Sequence, residues 1–317
     1  MGVLIRRRLT QLVLVVLAVT SATFIMLEAI PGDPCRQRIG PTATPEAIEL
    51  CHEELSLDEP LPARYANWVG GVLRGDFGES YSNGISVRTT LAQVAPVTLQ
   101  LVLYSLVLSL VIAVPLGVLA AYREGGKTDK TLMMSAYGML SVPSFVLGVV
   151  LILLFSVHWQ IFPSVGVVPL LENPPEHFRS MVLPVITLAV ADIAIYIRTL
   201  RTEMSATLRE DFITVAKSRG LSNRRVLWNH GLRASSLGLL TFVGLNVGRL
   251  IAGAVVVERI FGINGIGNYL VNSVIQRDYL VLQTLVAILA VAFVLVNLIV
   301  DILYAVVDPR IKPGTQT

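Results

Sequence analysis

Few side chains in this chain combine the residue types and the spacing that catalysis or metal binding requires. All four histidines, His52, His158, His177 and His230, lie outside the apolar segments. A membrane-embedded enzyme needs polar and acidic side chains clustered on facing helices, and the sequence places no such cluster. Cys51 and His52 are adjacent, but no further ligand has the spacing of a metal site. We therefore predict no catalytic residue, no metal site and no enzymatic activity.

Gly126-Lys127-Thr128 looks like the end of a phosphate-binding loop, but its context argues against one. That motif also needs a glycine at position 121, which is Ala121 here, and a strand that leads into a helix. The tripeptide lies instead in a short basic turn between two apolar segments. We therefore expect this chain to bind no ATP and no other cofactor, and any ATP-driven step must use another subunit.

Two charged residues lie in the middle of apolar segments, at Asp192 and Arg249, and Asn246 shares a helix face with Arg249. Charges inside a bilayer are costly and usually face a partner or a water-filled cavity. Three interpretations stay open. The residues contact the charged termini of a substrate in a pathway, or they form a structural ion pair between neighbouring helices, or each is solvated separately.

The two cysteines, Cys35 and Cys51, lie sixteen positions apart in one polar segment. A disulfide between them would close a loop there and stabilise it by very roughly 3 kcal/mol. The alternative is a pair of unrelated free thiols.

Of these residues, Asp192 and Arg249 lie in segments predicted to be apolar helices. The chain has 317 residues, of which 54% are hydrophobic and only 15% charged, whereas soluble domains carry about 25% charged residues. Long stretches without charge indicate helices that cross the bilayer. We predict an all-α integral membrane protein with six transmembrane helices, at about 9–30, 97–122, 132–157, 183–200, 237–257 and 281–307.

The basic residues predict the orientation of these helices. If the N-terminus is cytoplasmic, sixteen Lys and Arg lie in the cytoplasmic segments and three in the short outer loops. Positive charge accumulates on the cytoplasmic side of membrane proteins, so we expect both termini to be cytoplasmic. The formal net charge of +3 is too small to indicate a nucleic-acid partner, and membrane lipid is the expected surrounding.

We divide the chain into three parts. Residues 1–96 hold the first span and an extracytoplasmic segment, where Thr44 and Pro45 predict the start of a short helix. Residues 97–308 form a five-helix core that includes a basic cytoplasmic loop at 201–236. Residues 309–317 are a cytoplasmic tail.

Within the cytoplasmic loop, Phe212, Val215 and Ala216 recur at helical spacing, and Gly220 stands where a helix would end. Ser222 then predicts the start of a second short helix. One interpretation is a protein-docking surface with one apolar side. The other is a basic connector that rests on anionic lipid headgroups.

This loop resembles the EAA-type coupling motif of binding-protein-dependent ABC importer permeases. Thr214-Val215-Ala216 match the EAA triplet and Gly220 matches its invariant glycine, although Thr214 replaces the leading Glu and Arg233 replaces a common closing proline. Both departures are similar to the dipeptide/oligopeptide/nickel branch. Further segments resemble that branch, namely Ile30-Pro31-Gly32-Asp33-Pro34, Leu73-Arg74-Gly75-Asp76-Phe77-Gly78, Ser141-Val142-Pro143-Ser144-Phe145, Gly253 to Glu258, Gly265-Ile266-Gly267, Arg277-Asp278-Tyr279 and Asp301 to Arg310.

The resemblance implies a type I ABC importer permease fold and a role as one half of a translocation pathway for peptides or a related small solute. It implies three kinds of protein partner: a homologous second permease subunit, two cytoplasmic ATPase subunits that bind ATP and Mg²⁺, and an extracytoplasmic substrate-binding protein. It also implies a location in the bacterial inner membrane, in contact with membrane lipid. The residues implied to dock the ATPase are Asp211, Phe212, Thr214, Val215, Ala216, Lys217, Gly220 and Leu221. An alternative function is an ion-gradient-driven secondary transporter with Asp192 as its proton site.

Overall fold

The computed structural model describes residues 2–29, 33–40 and 43–307. The predicted tail at 309–317 and residues 30–32 of the first motif lie outside these ranges. Apart from one isolated bridge between Glu79 and Ser86, the described ranges contain helices and loops. The helices are α1 (Gly2–Glu28), α2 (Pro34–Ile39), α3 (Pro45–Glu54), α4 (Leu61–Leu73), α5 (Val87–Tyr122), α6 (Lys127–Ser141), α7 (Ser144–Leu151), α8 (Pro174–Thr207), α9 (Asp211–Ser218), α10 (Asn223–Arg225), α11 (Leu232–Ile260), α12 (Ile266–Ile275) and α13 (Tyr279–Val307).

Five helical stretches among the described residues are long and apolar enough to cross a bilayer. They are Thr10–Glu28, Val87–Tyr122, Pro174–Thr207, Asn223–Ile260 and Tyr279–Val300. A bent pair, Lys127–Ser141 with Ser144–His158, makes a sixth if it counts as one span. The all-α, multi-pass class predicted from the sequence is confirmed.

The third predicted span, 132–157, is not a single straight helix. It breaks at Val142 and Pro143, and its two arms, α6 and α7, meet at a bend of 93°. Proline has no N–H to donate and disfavours helical backbone in the residue before it. Val142 accordingly adopts an extended conformation, with φ −94° and ψ 118°. The second arm continues beyond α7 as a π-helical stretch, Ile152–His158.

The fourth span is longer than the predicted 183–200, and this moves one histidine into it. α8 begins at Pro174, after Asn173, whose side chain accepts a hydrogen bond from the backbone N–H of Glu176. His177 therefore lies within α8 and not outside the spans. His158, at the end of the bent pair, and His230, within Asn223–Ile260, also fall inside the candidate spans. The ring of His177 is buried, with Nδ1 at 2.8 Å from the carbonyl oxygen of Val168. His177 is thus a buried histidine whose ring has a hydrogen-bonding partner.

The described contacts divide the chain into two compact units. The first unit contains the residues up to Val97 together with Asn264–Leu295. The predicted helix after Thr44 is present as α3, and the Thr44 hydroxyl accepts a hydrogen bond from the N–H of Ala47. A core of apolar side chains from α5, α12 and α13 supports the unit and consists of Val87, Leu91, Val94, Ile266, Val281 and Leu285.

The second unit contains Thr98–Ile263 and the residues from Val296. Its core lies between α5, α8 and α11, where Tyr196 and Leu200 are fully buried. Glycine allows two close approaches inside this unit. A Cβ at Gly117 would lie 3.0 Å from Leu200 Cβ, and a Cβ at Gly244 would lie 2.5 Å from Val300 Cγ1. Small residues at such contacts let membrane helices pack closely.

Candidate functional site

α9 is the short helix of the loop that joins α8 to α11, and it has two different apolar faces. Ile213 and Ala216 point into the protein, where they pack with Val226 from the next segment. Phe212 and Val215 point outward, and Phe212 is 46% exposed. An exposed apolar face on a helix that is already anchored by its other face is typical of a surface that meets another protein.

The predicted docking residues therefore fall into two groups. Asp211, Phe212, Thr214, Val215 and Lys217 are exposed. Ala216 is buried and Leu221 packs against the same inner cluster, so these two residues position α9 instead of presenting a surface.

Gly220 ends this element in the way the sequence predicts. The helix stops at Ser218, and Gly220 has φ +78°, a left-handed conformation that favours glycine. The following segment differs from the prediction, because it is not a second short helix. Asn223–Arg225 leads through a π-helical stretch, Val226–Gly231, directly into α11. Gly231 keeps helical backbone angles, so nothing interrupts the helix there.

Residues that the sequence did not single out extend the exposed surface beyond Gly220. Trp228 is 42% exposed, and it lines an open surface cavity of about 580 Å³ with Ser222, Arg224, Arg225 and Asn229. Aromatic and arginine side chains are the types enriched at protein interfaces. The sequence contained this signal in the Arg224-Arg225 pair followed three residues later by Trp228.

The base of this loop is tied to the turn between α5 and α6 by four charged residues, Glu124, Asp129, Arg201 and Arg209, which we call the loop clamp. Arg201 donates from Nε to Asp129 Oδ1 at 3.1 Å and from its terminal nitrogen to Oδ2 at 2.7 Å. Arg209 lies 2.9 Å from Glu124 Oε2. Asp129 also accepts a hydrogen bond from the backbone N–H of Gly125 at 2.9 Å. The sequence did not predict this network, because its partners lie 72 or more positions apart.

The residues flanking α9 add a further contact, at the end of α5 before that turn. The side-chain amide of Asn223 donates to the hydroxyl of Tyr122 at 3.3 Å. Contacts on both sides of α9 therefore reach the end of α5 and the turn after it, from Arg209 to Glu124 and from Asn223 to Tyr122.

The turn itself contains Gly126-Lys127-Thr128, and a helix precedes it where a phosphate-binding loop would require a strand. α5 ends at Tyr122, and Gly126 occupies the position before the first residue of α6.

The structure brings Asp192 of α8 and Arg249 of α11 together in the second unit. A terminal nitrogen of Arg249 donates to Asp192 Oδ1. We call these two residues the mid-span pair. Asp192 is 2% exposed, whereas the Arg249 side chain is 49% exposed. The separate-solvation interpretation is thereby excluded.

Two further polar side chains lie beside the mid-span pair. Tyr196 is one helical turn after Asp192 on α8, and Asn246 is one turn before Arg249 on α11. Among the described residues, neither the Tyr196 hydroxyl nor the Asn246 Nδ2 has a hydrogen-bond partner, although both atoms are buried. Buried polar atoms without a partner are rare and call for an explanation.

In the first unit, Cys35 and Cys51 form a disulfide. The bond joins α2 to α3 and lies beside His52, whose Nε2 is 3.0 Å from Asp33 Oδ1. Burial pushes the pKa of Asp33 up, but its hydrogen bonds with His52 and with the N–H of Cys35 together hold that pKa below its usual range.

Asp33, Cys35 and His52 are the one group of three possible metal ligands within the described ranges. The sulfur of Cys35 is committed to the disulfide, so it cannot serve as a thiolate ligand.

Comparisons with known proteins match nearly the whole chain. The family described as binding-protein-dependent transport system inner membrane component matches residues 113–313, and its N-terminal companion matches residues 1–102. The oligopeptide transport system permease protein AppB of Bacillus subtilis (strain 168) is 38% identical, covering 98% of this chain and 100% of the relative. The dipeptide transport system permease protein DppB of Escherichia coli (strain K12) is 35% identical, covering 97% and 98%.

A solved structure of the inward-facing MetNI methionine ABC transporter shares the fold. Its TM-score is 0.58 at 18% identity, and the match covers 69% of this chain and 96% of that chain. The sequence relatives thus cover nearly the whole chain, and the structural match covers about two thirds of it. This chain belongs to the family of binding-protein-dependent transport system inner membrane components.

Proposed function

We propose that the chain is a permease subunit of an ATP-driven importer of peptides. The family match supports a transport component, and the names of two relatives, aligned over nearly their whole length, support oligopeptides or dipeptides as cargo. The chain performs no chemistry on its cargo in this proposal. It supplies helices that enclose part of the pathway.

The proposed complex contains a homologous second permease, two ATPase subunits and a substrate-binding protein. ATP and Mg²⁺ bind to the ATPase subunits and not to this chain. The loop that contains α9 is cytoplasmic, as are both termini, because the distribution of Lys and Arg favours this orientation. The binding protein meets the opposite side, where the disulfide-linked segment lies. Disulfides persist in oxidising compartments, which agrees with this placement.

One observation carries the proposal, namely the exposed apolar face of α9. Phe212 and Val215 are presented outward while Ile213 and Ala216 hold the helix in place. A partner that engages this face can move α9 as a rigid element. The loop clamp would pass that movement to the turn between α5 and α6. Nucleotide binding in the ATPases would thereby shift the pathway between two states of access.

The alternative function, a secondary transporter with Asp192 as its proton site, finds no support in the comparisons. In the structure, Asp192 is also held by a hydrogen bond from Arg249.

Substitution of Phe212 tests the proposal. The complete transporter is reconstituted into vesicles, and peptide uptake is measured with and without ATP. Truncation of an aromatic anchor costs about 2 kcal/mol at an interface, so Phe212→Ala is expected to reduce ATP-dependent uptake at least about tenfold. Co-purification of the ATPase subunits should fall in parallel.

Leu171→Ala is the matched control, because Leu171 is also an exposed apolar residue but lies far from α9 in the sequence. Its uptake should equal that of the wild type. Full ATP-dependent uptake by the Phe212 variant, or proton-driven uptake by this chain alone, would contradict the proposal.

A further inference from the structure

Arg249 is a charged residue at the middle of a membrane helix, and half of its side chain is exposed. It lies on a face of α11 whose other members are apolar or small. That face consists of Phe242, Leu245, Arg249, Ala252 and Val256, all of them exposed. An arginine at the bilayer centre costs about 2.5–3.5 kcal/mol on insertion scales. The half-exposed arginine favours a protein-lined or water-filled space over lipid as the surrounding of this face.

The guanidinium of Arg249 has capacity to bind a second anion. It carries five N–H donors, and one hydrogen bond to Asp192 Oδ1 is described for it. Asp192 is 2% exposed, whereas 49% of the Arg249 side chain stays accessible while it contacts Asp192. A guanidinium fork matches a carboxylate better than any other common anion except phosphate.

Asp192 would need another hydrogen-bond donor if Arg249 turned away, and the Tyr196 hydroxyl and the Asn246 amide lie beside the pair. A buried carboxylate that loses its cation is strongly destabilised. The hydroxyl of Tyr196 is fully buried, and both Asp192 and Arg249 act on it electrostatically. The amide of Asn246 lies beside that hydroxyl. Each group carries a hydrogen-bond donor; the two side chains act on each other, but in the described part of the chain neither the hydroxyl nor Nδ2 has a partner within full hydrogen-bond geometry.

We propose that Arg249 binds a carboxylate of the cargo during passage, while Tyr196 and Asn246 take over as hydrogen-bond donors to Asp192. This inference rests on the proposed function and adds a site to it. Every linear peptide with a free C-terminus carries a carboxylate whatever its side chains. An anchor of this kind suits a pathway that carries many peptide sequences.

The test compares two cargo peptides in two transporters. A peptide and its C-terminal amide are each loaded onto the binding protein, and ATP-dependent uptake into vesicles is measured for the wild type and for Arg249→Gln. The binding protein has its own preference between the peptides, but that preference is the same for both transporters. The ratio of the two acid-to-amide ratios therefore isolates the contribution of Arg249.

We expect the acid-to-amide ratio to be about tenfold higher in the wild type than in Arg249→Gln. Leu245→Ala, one turn earlier on the same face, should keep the wild-type ratio. Asp192→Asn should also keep it, since the cation remains. An unchanged ratio in an active Arg249→Gln transporter overturns the proposal.

If the Arg249→Gln transporter fails to assemble, the acid-to-amide uptake ratio is measured for Arg249→Lys instead. This variant keeps the charge and loses the fork, so the ratio should fall to between those of the wild type and the Gln variant. An unchanged ratio in Arg249→Lys overturns the proposal. If the wild type takes up neither peptide, the proposed function fails, and the carboxylate site falls with it.

Discussion

The loop clamp and the mid-span pair are built from the same two residue types but are completed differently. In the clamp, Asp129 receives two hydrogen bonds from Arg201 and a third from the backbone of Gly125. In the mid-span pair, Asp192 receives one hydrogen bond from Arg249. Asp129 and Asp192 are equally buried. The two sites differ in position, beside a turn or at mid-span, and in how many of their donors and acceptors are satisfied.

This difference indicates different roles. A fully satisfied polar network rigidifies the elements that it joins, whereas a partly satisfied network stores unused hydrogen-bonding capacity. The clamp holds a turn against the base of α9, which suits the transmission of movement. Beside the mid-span pair lie the donors of Tyr196 and Asn246, and the side chain of Arg249 is half exposed. This arrangement suits a site where Asp192 and Arg249 can exchange hydrogen-bonding partners.

The largest expected effect follows from breaking the clamp. Arg201→Met leaves Asp129 buried with one remaining hydrogen bond, and loss of one partner of a buried pair costs 3–5 kcal/mol. Since Arg201 keeps 25% of its side chain exposed, we expect a loss of about 3 kcal/mol in the free energy of unfolding, measured by denaturant titration in detergent.

Arg209→Met is the control for that measurement. Its side chain is 74% exposed, so its contact with Glu124 is screened by water. Its removal should cost less than about 1 kcal/mol. Equal losses in the two variants would show that the clamp is an ordinary surface network.

A second comparison measures the two pairs directly by double-mutant cycles. For the clamp, Asp129→Asn and Arg201→Met should show a coupling energy of about 2 kcal/mol. For the mid-span pair, Asp192→Asn and Arg249→Met should show about 0.6 kcal/mol, the typical value for a polar contact between membrane helices. A mid-span coupling equal to that of the clamp would favour a purely structural ion pair.

The smallest expected effect concerns the unpartnered hydroxyl of Tyr196. Because the hydroxyl has no hydrogen bond to lose, Tyr196→Phe should change the free energy of unfolding by less than about 0.5 kcal/mol. Uptake of a free-acid peptide should nevertheless slow down, since a donor to Asp192 is missing when Arg249 binds cargo.

Ser109→Ala provides the contrast. Ser109 is a buried hydroxyl on α5 that donates to the carbonyl of Ser105 at 2.7 Å. Its removal should cost about 1 kcal/mol. If Tyr196→Phe destabilised the protein as much as Ser109→Ala, the spare-donor assignment would be incorrect.

Much of this architecture can be predicted from the sequence, because the signals are local. Charge-free stretches locate the spans, Thr44 and Pro45 locate the start of α3, and Gly220 locates the end of α9. The inward and outward faces of α9 follow less readily. Phe212, Val215 and Ala216 fit one apolar side by spacing, but the position of Val226 decides that Ala216 faces inward.

Other features depend on partners far apart in the sequence. The clamp joins Asp129 to Arg201 and could not be read from either segment alone. The meeting of Asp192 and Arg249 was one of several interpretations until the packing of α8 against α11 was known. The break at Pro143 is a different case, because Pro115 and Pro184 lie within continuous helices. Proline identity alone does not predict which helix bends.

The bend at Pro143 has a consequence for biosynthesis. Each of its arms holds about 15 residues, or roughly 22 Å of helix, and neither arm reaches across a hydrocarbon core of about 30 Å. Both arms pack against α8, which is translated after them. The third span therefore cannot settle in the bilayer as an independent unit when it is synthesised. We therefore expect stable integration of this span to depend on α8, which follows it in the chain.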